Sequence, residues 1–333
     1  MPRPAISAVV PVFNKRAFVR ACAAALVAAA EERGDVEVVF VDHQSTDGSY
    51  EEVCDWASRH PAVARVVRHS TGGTISGVRN AGVRAARGDV LAFIDSDVVV
   101  PPGFFTRVLE VLAESGAAAV GCEYDVPEDP HWSERVWYEL HVVRADGDRH
   151  YLNGGDLVVR RDALAGVGGW AEHLAVGEDT ELCTRLRAAG YRIYESQRLR
   201  AVHLGNPKSV RAFYRKQVWH GASSLDDPSL VFRNKVTVMV LAFAVLAAAA
   251  AAALVAPSAL GPGARVALAA GLVLAVPAAA VAYRAVETRR VVNPPRALLL
   301  YLVYFAARAR ALAGAAVSRR RAAAQPGGVG ALR

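Results

Sequence analysis

Between residues 6 and 100, short β-branched runs alternate with alanine-rich stretches, and no other feature of the chain limits its fold so sharply. The runs cover residues 6–12, 36–42, 63–67 and 90–94. Each is almost continuously apolar, as a strand buried on both faces must be, and each is followed by a stretch long enough for a helix. That order predicts an α/β domain whose parallel sheet is covered by helices on both sides. Sheets of this kind bind ligands at the carboxyl ends of their strands. Those ends are polar here: Phe13-Asn14, Asp42-His43, Arg68-His69 and Asp95-Ser96-Asp97.

Residues 101–225 change character, with aromatics spread among glycines and charges, and read as an elaboration of the same sheet. Residues 236–255 then carry no charge. As a helix they span about 30 Å, the thickness of a hydrocarbon core. A turn at 257–263 and a second uncharged run at 266–283 complete a predicted transmembrane hairpin. Arg284, Arg289, Arg290 and Arg296 follow it, which by the positive-inside rule places this loop in the cytosol beside the α/β domain. The segment 297–317 is apolar until it meets Arg308 and Arg310. Arginines are costly in lipid, so it is expected to lie in the interface as an amphipathic helix rather than to form a third span.

The formal net charge is +7, and much of the excess lies in the arginines beyond residue 284, Arg319, Arg320 and Arg321 included. That clustering points to anionic lipid headgroups and away from nucleic acid. Cys22, Cys54, Cys122 and Cys183 are scattered singly, without the close pairs of a zinc or redox motif, and are expected to be reduced thiols. No signal-peptide pattern precedes the first strand, so the α/β part is expected to remain in the cytosol.

Asp95 and Asp97 follow the strand at 90–94, and if the chain stays extended both carboxylates point to one face. A pair of oxygen donors there suits Mg²⁺ or Mn²⁺, whose other positions phosphate and water fill. A solvated turn is the plainer reading, but the position at a strand end favours a site. Asp42 either opens a plain polar turn or, as acidic groups at strand ends of nucleotide-binding sheets do, accepts from a base or ribose. Arg79, after the glycines at 72 and 73, suits phosphate. Asp179 either caps the helix that begins near it or serves as a general base for a hydroxyl acceptor. His203 is either structural or a further ligand for the ion.

Taken in order, Pro11-Val12-Phe13-Asn14, Val41-Asp42 with Ser45 to Ser49, Arg79-Asn80-Ala81-Gly82, Phe93-Ile94-Asp95-Ser96-Asp97, Gly154-Gly155-Asp156 and Gly177-Glu178-Asp179 resemble the family 2 inverting glycosyltransferases of the GT-A fold. The resemblance covers about residues 5–225. It implies that Pro11, Asp42, Arg79 and Asp95 bind the nucleotide-sugar donor, Asp97 and His203 the metal, and Asp179 acts as catalytic base. Gly155, Asp156, Glu178 and Trp219 fall to the acceptor side. The organisation it implies is a nucleotide-sugar half at 1–100, an acceptor and catalytic half at 101–225 and membrane-anchoring helices at 226–333. A multi-pass protein of the cell inner membrane follows, with its catalytic domain cytoplasmic and a role in cell-envelope glycan or glycolipid synthesis. The acceptor is expected to be a glycan or lipid-linked.

There are departures. His43-Gln44 stands where the family usually has an acidic residue or asparagine and glycine, and the Gln-x-x-Arg-Trp motif of processive synthases is missing around Gln217 to Gly221. A non-processive enzyme is therefore expected. The alternatives are a nucleotidyltransferase making activated sugars, against which the sequence after the first strand argues, and a catalytically silent membrane scaffold, against which the carboxylates at 42, 95, 97 and 179 argue.

Overall fold

The strands expected from the sequence form as β1 (Ile6–Val12), β2 (Val36–Asp42), β3 (Ala64–Arg68) and β4 (Val90–Ile94). All are parallel, in the order β3-β2-β1-β4. Parallel neighbours require crossovers, which α1 (Arg16–Arg33), α2 (Ser49–Arg59) and α3 (Ile75–Ala85) supply. Side chains alternate between two cores: Ile6, Ala8, Val10, Phe40 and Ile94 on one face, Val9, Val39, Val41, Leu91 and Phe93 on the other. Fully burying such a side chain is worth about 1.5–3 kcal/mol. With both faces covered, every residue of the strand contributes, which explains the continuous apolar runs.

This computed structural model describes residues 3–71, 73–142, 145–221, 235–257 and 259–323. Gly72, residues 222–234 and the side chains of Arg319, Arg320 and Arg321 lie outside the described residues.

The later elements are β5 (Val98–Val99), α4 (Phe104–Ser115), β6 (Ala119–Gly121), α5 (Trp132–His141), β7 (Gly147–Asp148), β8 (Asp156–Arg160), α6 (Arg161–Gly166), α7 (Glu178–Ala188), β9 (Ile193–Glu195) and β10 (Val202–His203). They extend the sheet to β3-β2-β1-β4-β8-β6-β9-β7, so it runs through residue 100. β8 is antiparallel to β4, with Asp156 opposite Ile94. β5 and β10 form a separate antiparallel ribbon in which His203 faces Val98. The sheet is thus mixed, parallel in its first half as expected and largely antiparallel in its second.

The chain divides into two compact units, Met1–Asp129 with Val143–Asn206, and Pro130–Val142 with Pro207–Arg333. The second unit contains α5, α8 (Val210–Gly221), α9 (Lys235–Val255), α10 (Pro262–Thr288) and α11 (Pro294–Ala323). Its core joins Val136 and Leu140 of α5 and Phe213 of α8 to Leu300, Tyr301 and Phe305 of α11. Trp137 lies 4.8 Å from Phe213 and 5.4 Å from Tyr304, ring centre to ring centre.

Among the described residues, three helices are long and apolar enough to cross a membrane: Lys235–Val255, Pro262–Thr288 and Pro294–Gly314, with mean hydropathy of 2.7, 2.2 and 1.4. Val245, Val255, Val266 and Val286 are exposed on the first two, an apolar surface that water would not favour. Two details differ from the sequence reading. No residue between Tyr283 and Thr288 breaks a helix, so α10 runs through Arg284 and the connecting loop shrinks to residues 289–293, where Arg289 and Asn293 adopt positive φ of 53° and 25°. The segment expected to be interfacial belongs to one long helix, α11, whose apolar part meets the same length criterion.

Candidate active site

β4 ends at Ile94, and Asp95 follows it, its N–H donating to the Gly155 carbonyl at 2.9 Å. The chain then turns rather than staying extended, with the Val98 N–H donating to the Asp95 carbonyl at 2.9 Å. This corrects the expectation that Asp95 and Asp97 share a face: the turn sends them to different partners. Asp95 Oδ1 accepts from Arg79 at 3.1 Å, while Asp97 pairs with Lys15 through Oδ2 and lies 3.5 Å from His203 Nε2 through Oδ1.

Arg79 is the hub of the first circuit. It projects inward from α3, whose start Thr74 caps by accepting from the Gly77 N–H. Its guanidinium donates to Asp95 and, at 2.7 Å, to Glu178 Oε1 on the first turn of α7, with its side chain only 3% exposed. One face lies 4.5 Å from the centre of the Trp170 ring. Burial opposes the charge of Arg79, but Asp95, Glu178 and Asp179 outweigh it and hold the group more firmly protonated than usual. The neighbouring Asn80 fixes the loop that carries the tryptophan, donating to the Trp170 carbonyl at 2.9 Å and accepting from its N–H at 3.1 Å.

Asp179 is half-buried beside this hub. Its Oδ1 accepts from the Thr180 N–H at 2.7 Å and its Oδ2 from the Gly154 N–H at 3.3 Å. The helix cap itself is Gly177, with φ of 84°. Asp179 is therefore not the cap, which removes that alternative as the explanation for its position. Gly155 closes the floor of the site: a Cβ there would lie 2.4 Å from Asp95 Oδ2 and 2.6 Å from the Tyr124 hydroxyl. Only glycine leaves Asp95 room.

Asp42 ends β2 fully buried, accepting from the Ser45 N–H at 3.4 Å with Arg68 at 3.8 Å. Pro11 is buried opposite Val41 in the register of β1 on β2. Asp156 departs from its expected place on the acceptor side. As the first residue of β8 it points inward, 1% exposed, accepting from the Cys122 N–H at 3.2 Å and thiol at 3.0 Å. Burial pushes its carboxyl well above the usual range. Trp219 belongs to α8 in the second unit and is 57% exposed. Two contributors escaped the sequence reading: Trp170, and Lys15, whose only signal was its place directly after Asn14 at the end of β1.

Among the described residues no group of three or more His, Cys, Asp and Glu side chains could hold a metal ion. The donors nonetheless fit a hard divalent ion of the Mg²⁺ or Mn²⁺ kind, since Asp97 and His203 offer one oxygen and one nitrogen 3.5 Å apart, and such ions usually keep most positions for phosphate and water. The surroundings call for positive charge, because the carboxylates of Asp95, Asp97, Glu178 and Asp179 outnumber the cations of Arg79 and Lys15 paired with them.

The chain matches the family described as Glycosyl transferase family 2 over residues 7–166 and Glycosyl transferase family group 2 over residues 90–286. It is 24% identical over 208 residues to the glycosyltransferase AglE of Haloferax volcanii, covering 61% of this chain and 68% of the relative. It is 32% identical over 121 residues to the uncharacterized glycosyltransferase EpsJ of Bacillus subtilis, covering 36% of this chain and 34% of the relative. The match thus spans two thirds of the archaeal relative and about one third of the bacterial one. A solved mannosyltransferase from Pyrobaculum calidifontis, in complex with GDP-Man and Mn²⁺, shares the fold at a TM-score of 0.59 and 20% identity, covering 96% of this chain and 89% of that one. The motif order, the strand-end carboxylates and these matches agree: the chain belongs to the family 2 glycosyltransferases and has the GT-A fold.

Proposed function

We infer that the protein transfers a sugar from a nucleoside-diphosphate donor to a hydroxyl acceptor in a single metal-assisted displacement that inverts the anomeric carbon. One observation carries this reading. Arg79 ties Asp95 at the end of β4 to Glu178 at the start of α7, at 3.1 and 2.7 Å, and so fixes Asp179 beside the Gly154-Gly155 turn. A carboxylate held there, with one oxygen on a long 3.3 Å bond, is suited to receive a proton from an acceptor.

Pro11 and Asp42 line the base and ribose end, and Arg79 and Asp95 the phosphate end. Asp97 and His203 would hold Mn²⁺ or Mg²⁺, which when bound neutralises charge on the departing diphosphate. Asp179 takes the proton of the acceptor hydroxyl as its oxygen bonds to the anomeric carbon. The bond from that carbon to the β-phosphate oxygen breaks, and the nucleoside diphosphate leaves with the electron pair. A single displacement on one carbon inverts it. Gly155 and Glu178 remain the acceptor-side candidates. The GDP-Man and Mn²⁺ of the structural neighbour are compatible with this scheme.

The membrane-length helices favour a lipid-linked or glycan acceptor at the bilayer, with the protein multi-pass in the cell inner membrane and its catalytic unit cytosolic, in cell-envelope synthesis. A ligand that binds only the folded state raises the melting temperature. A panel of nucleoside diphosphates, screened with and without Mn²⁺, should therefore contain one that stabilises the chain only when the ion is present. Once the donor is known, NMR of the product should report inverted anomeric configuration. Retained configuration rules out the displacement, and metal-independent stabilisation rules out the ion.

A further inference from the structure

Lys15 follows the polar end of β1, and its ammonium pairs with Oδ2 of Asp97. The partners differ in freedom: the Asp97 side chain is 3% exposed, that of Lys15 37%. Asp97 is also anchored on several sides. Its carbonyl accepts from the Leu204 N–H at 2.8 Å, and Gly205 passes so close that a Cβ there would stand 2.0 Å from Oδ2. The carboxylate is fixed and the lysine is the partner that can leave.

The backbone beneath Lys15 is pinned as well. Its N–H donates to Ser49 Oγ at 2.8 Å, the Arg16 N–H to Asp47 at 2.9 Å and the Asn14 N–H to Ser45 Oγ at 3.1 Å. The Thr46 N–H donates to Asn14 Oδ1 at 2.9 Å. These bonds staple residues 14–16 to the segment after β2, whose Ser45 N–H also faces Asp42. Lys15 therefore stands between the base end of the site and Asp97. It can exchange partners by rotating side-chain bonds, with no rearrangement of the loop.

A divalent ion bound through Asp97 repels an ammonium on the same carboxylate. Lys15 and Asp97 cancel each other's charge as a pair; with a divalent ion on Asp97 and the lysine released, this end of the site carries a local positive excess that faces the carboxylates of Asp95, Glu178 and Asp179. The diphosphate of a nucleotide matches that excess, and an ammonium on a flexible stem can follow it. We propose that Lys15 couples ion and donor binding: it competes with the divalent cation for Asp97 and, once displaced, moves to the diphosphate of the nucleotide. This rests on the reading of Asp97 as a metal ligand, and the test separates the two.

The full chain in detergent is titrated with Mn²⁺ alone, the free ion being followed by electron paramagnetic resonance, so that no turnover is needed. A panel of nucleoside diphosphates is then titrated at saturating Mn²⁺. Lys15→Met should bind Mn²⁺ about threefold to tenfold tighter than the parent chain, the scale of one partly exposed ion pair, and the nucleotide about threefold or more weaker. Lys15→Arg should track the parent, and Lys15→Gln, which keeps a polar end, should repeat the methionine result if the latter folds poorly. Unchanged or weaker Mn²⁺ binding in the Met and Gln variants, alongside lost binding in Asp97→Asn, overturns the role of Lys15 alone. Tighter Mn²⁺ with unaltered nucleotide binding overturns the transfer to diphosphate. Full Mn²⁺ binding by Asp97→Asn overturns the metal reading beneath both.

Discussion

Replacing Asp179 by asparagine keeps its size and one acceptor oxygen, so structural and chemical roles can be told apart by magnitude. Oδ1 can still accept from the Thr180 N–H, whose bond is the shorter at 2.7 Å. The new amide nitrogen then faces the Gly154 N–H, donor against donor, in place of a bond that was already long at 3.3 Å. Losing such a bond costs about 1 kcal/mol, and losing a negative charge on the first turn of a helix costs about 0.5 kcal/mol more. At roughly 2–4 °C per kcal/mol, the melting temperature should fall by about 3–6 °C. A positioned general base is worth about 10²–10⁴ in rate, or roughly 3–5 kcal/mol of barrier. The assay compares sugar transfer at saturating donor with the thermal shift and donor affinity of the same preparation. A folded variant that binds donor and transfers at least a hundredfold more slowly supports the base. Transfer within about threefold of the parent chain sinks the assignment and moves attention to Glu178, which Arg79 already engages.

Arg79→Met strands Asp95 and Glu178, and breaking a buried pair from one side costs about 3 kcal/mol or more; calorimetry should show a melting temperature lower by roughly 6–12 °C, and a change of under a degree would refute the hub. Burial holds Asp156 protonated in the fold, whereas the unfolded chain releases that proton near pH 3.9; its contribution is therefore full below about pH 4 and is lost as pH rises toward the folded value. Asp156→Asn should flatten that decline in denaturant-measured stability, and an unchanged slope would exclude Asp156 as its source. For the topology, a cysteine at Ala259→Cys should react with an impermeant maleimide from outside the cell and one at Glu287→Cys should not; labelling of both from the same side defeats the hairpin.

The parallel half of the fold was legible because burial on both faces writes itself as unbroken apolar runs, and β1, β2 and β4 have the expected limits. The second half was not, since β6, β7, β9 and β10 have only two or three residues each. Strands that short carry no period, and partners distant in sequence hold them in place. The attachment of α5 to the helical unit was hidden for a similar reason: Trp137 looks like a surface aromatic until Phe213 and Tyr304 pack against it. In the candidate site, the positions of Asp42, Asp95 and Asp97 at or after strand ends and of Asp179 at a helix start were legible in the sequence. Asp156 was placed on the acceptor side by the family resemblance alone, and no sequence signal showed that its pairing with Ile94 makes it the buried first residue of a strand. Lys15 and Trp170 had no local signature, because their roles come from partners far along the chain.

The turn at residues 95–98 is what gives adjacent carboxylates separate work. On an extended strand Asp95 and Asp97 would face the same way, and like charges that close disfavour each other's ionised form. The turn instead assigns each its own cation: Asp95 meets Arg79, buried against Trp170, and Asp97 meets Lys15, partly exposed on a long side chain. The difference between those cations matters more than the spacing of the acids. A guanidinium locked between Asp95 and Glu178 holds the architecture around Asp179, whereas an ammonium on a flexible stem can yield its carboxylate to an arriving ion. A single short motif can in this way provide a permanent strut on one side and an exchangeable site on the other.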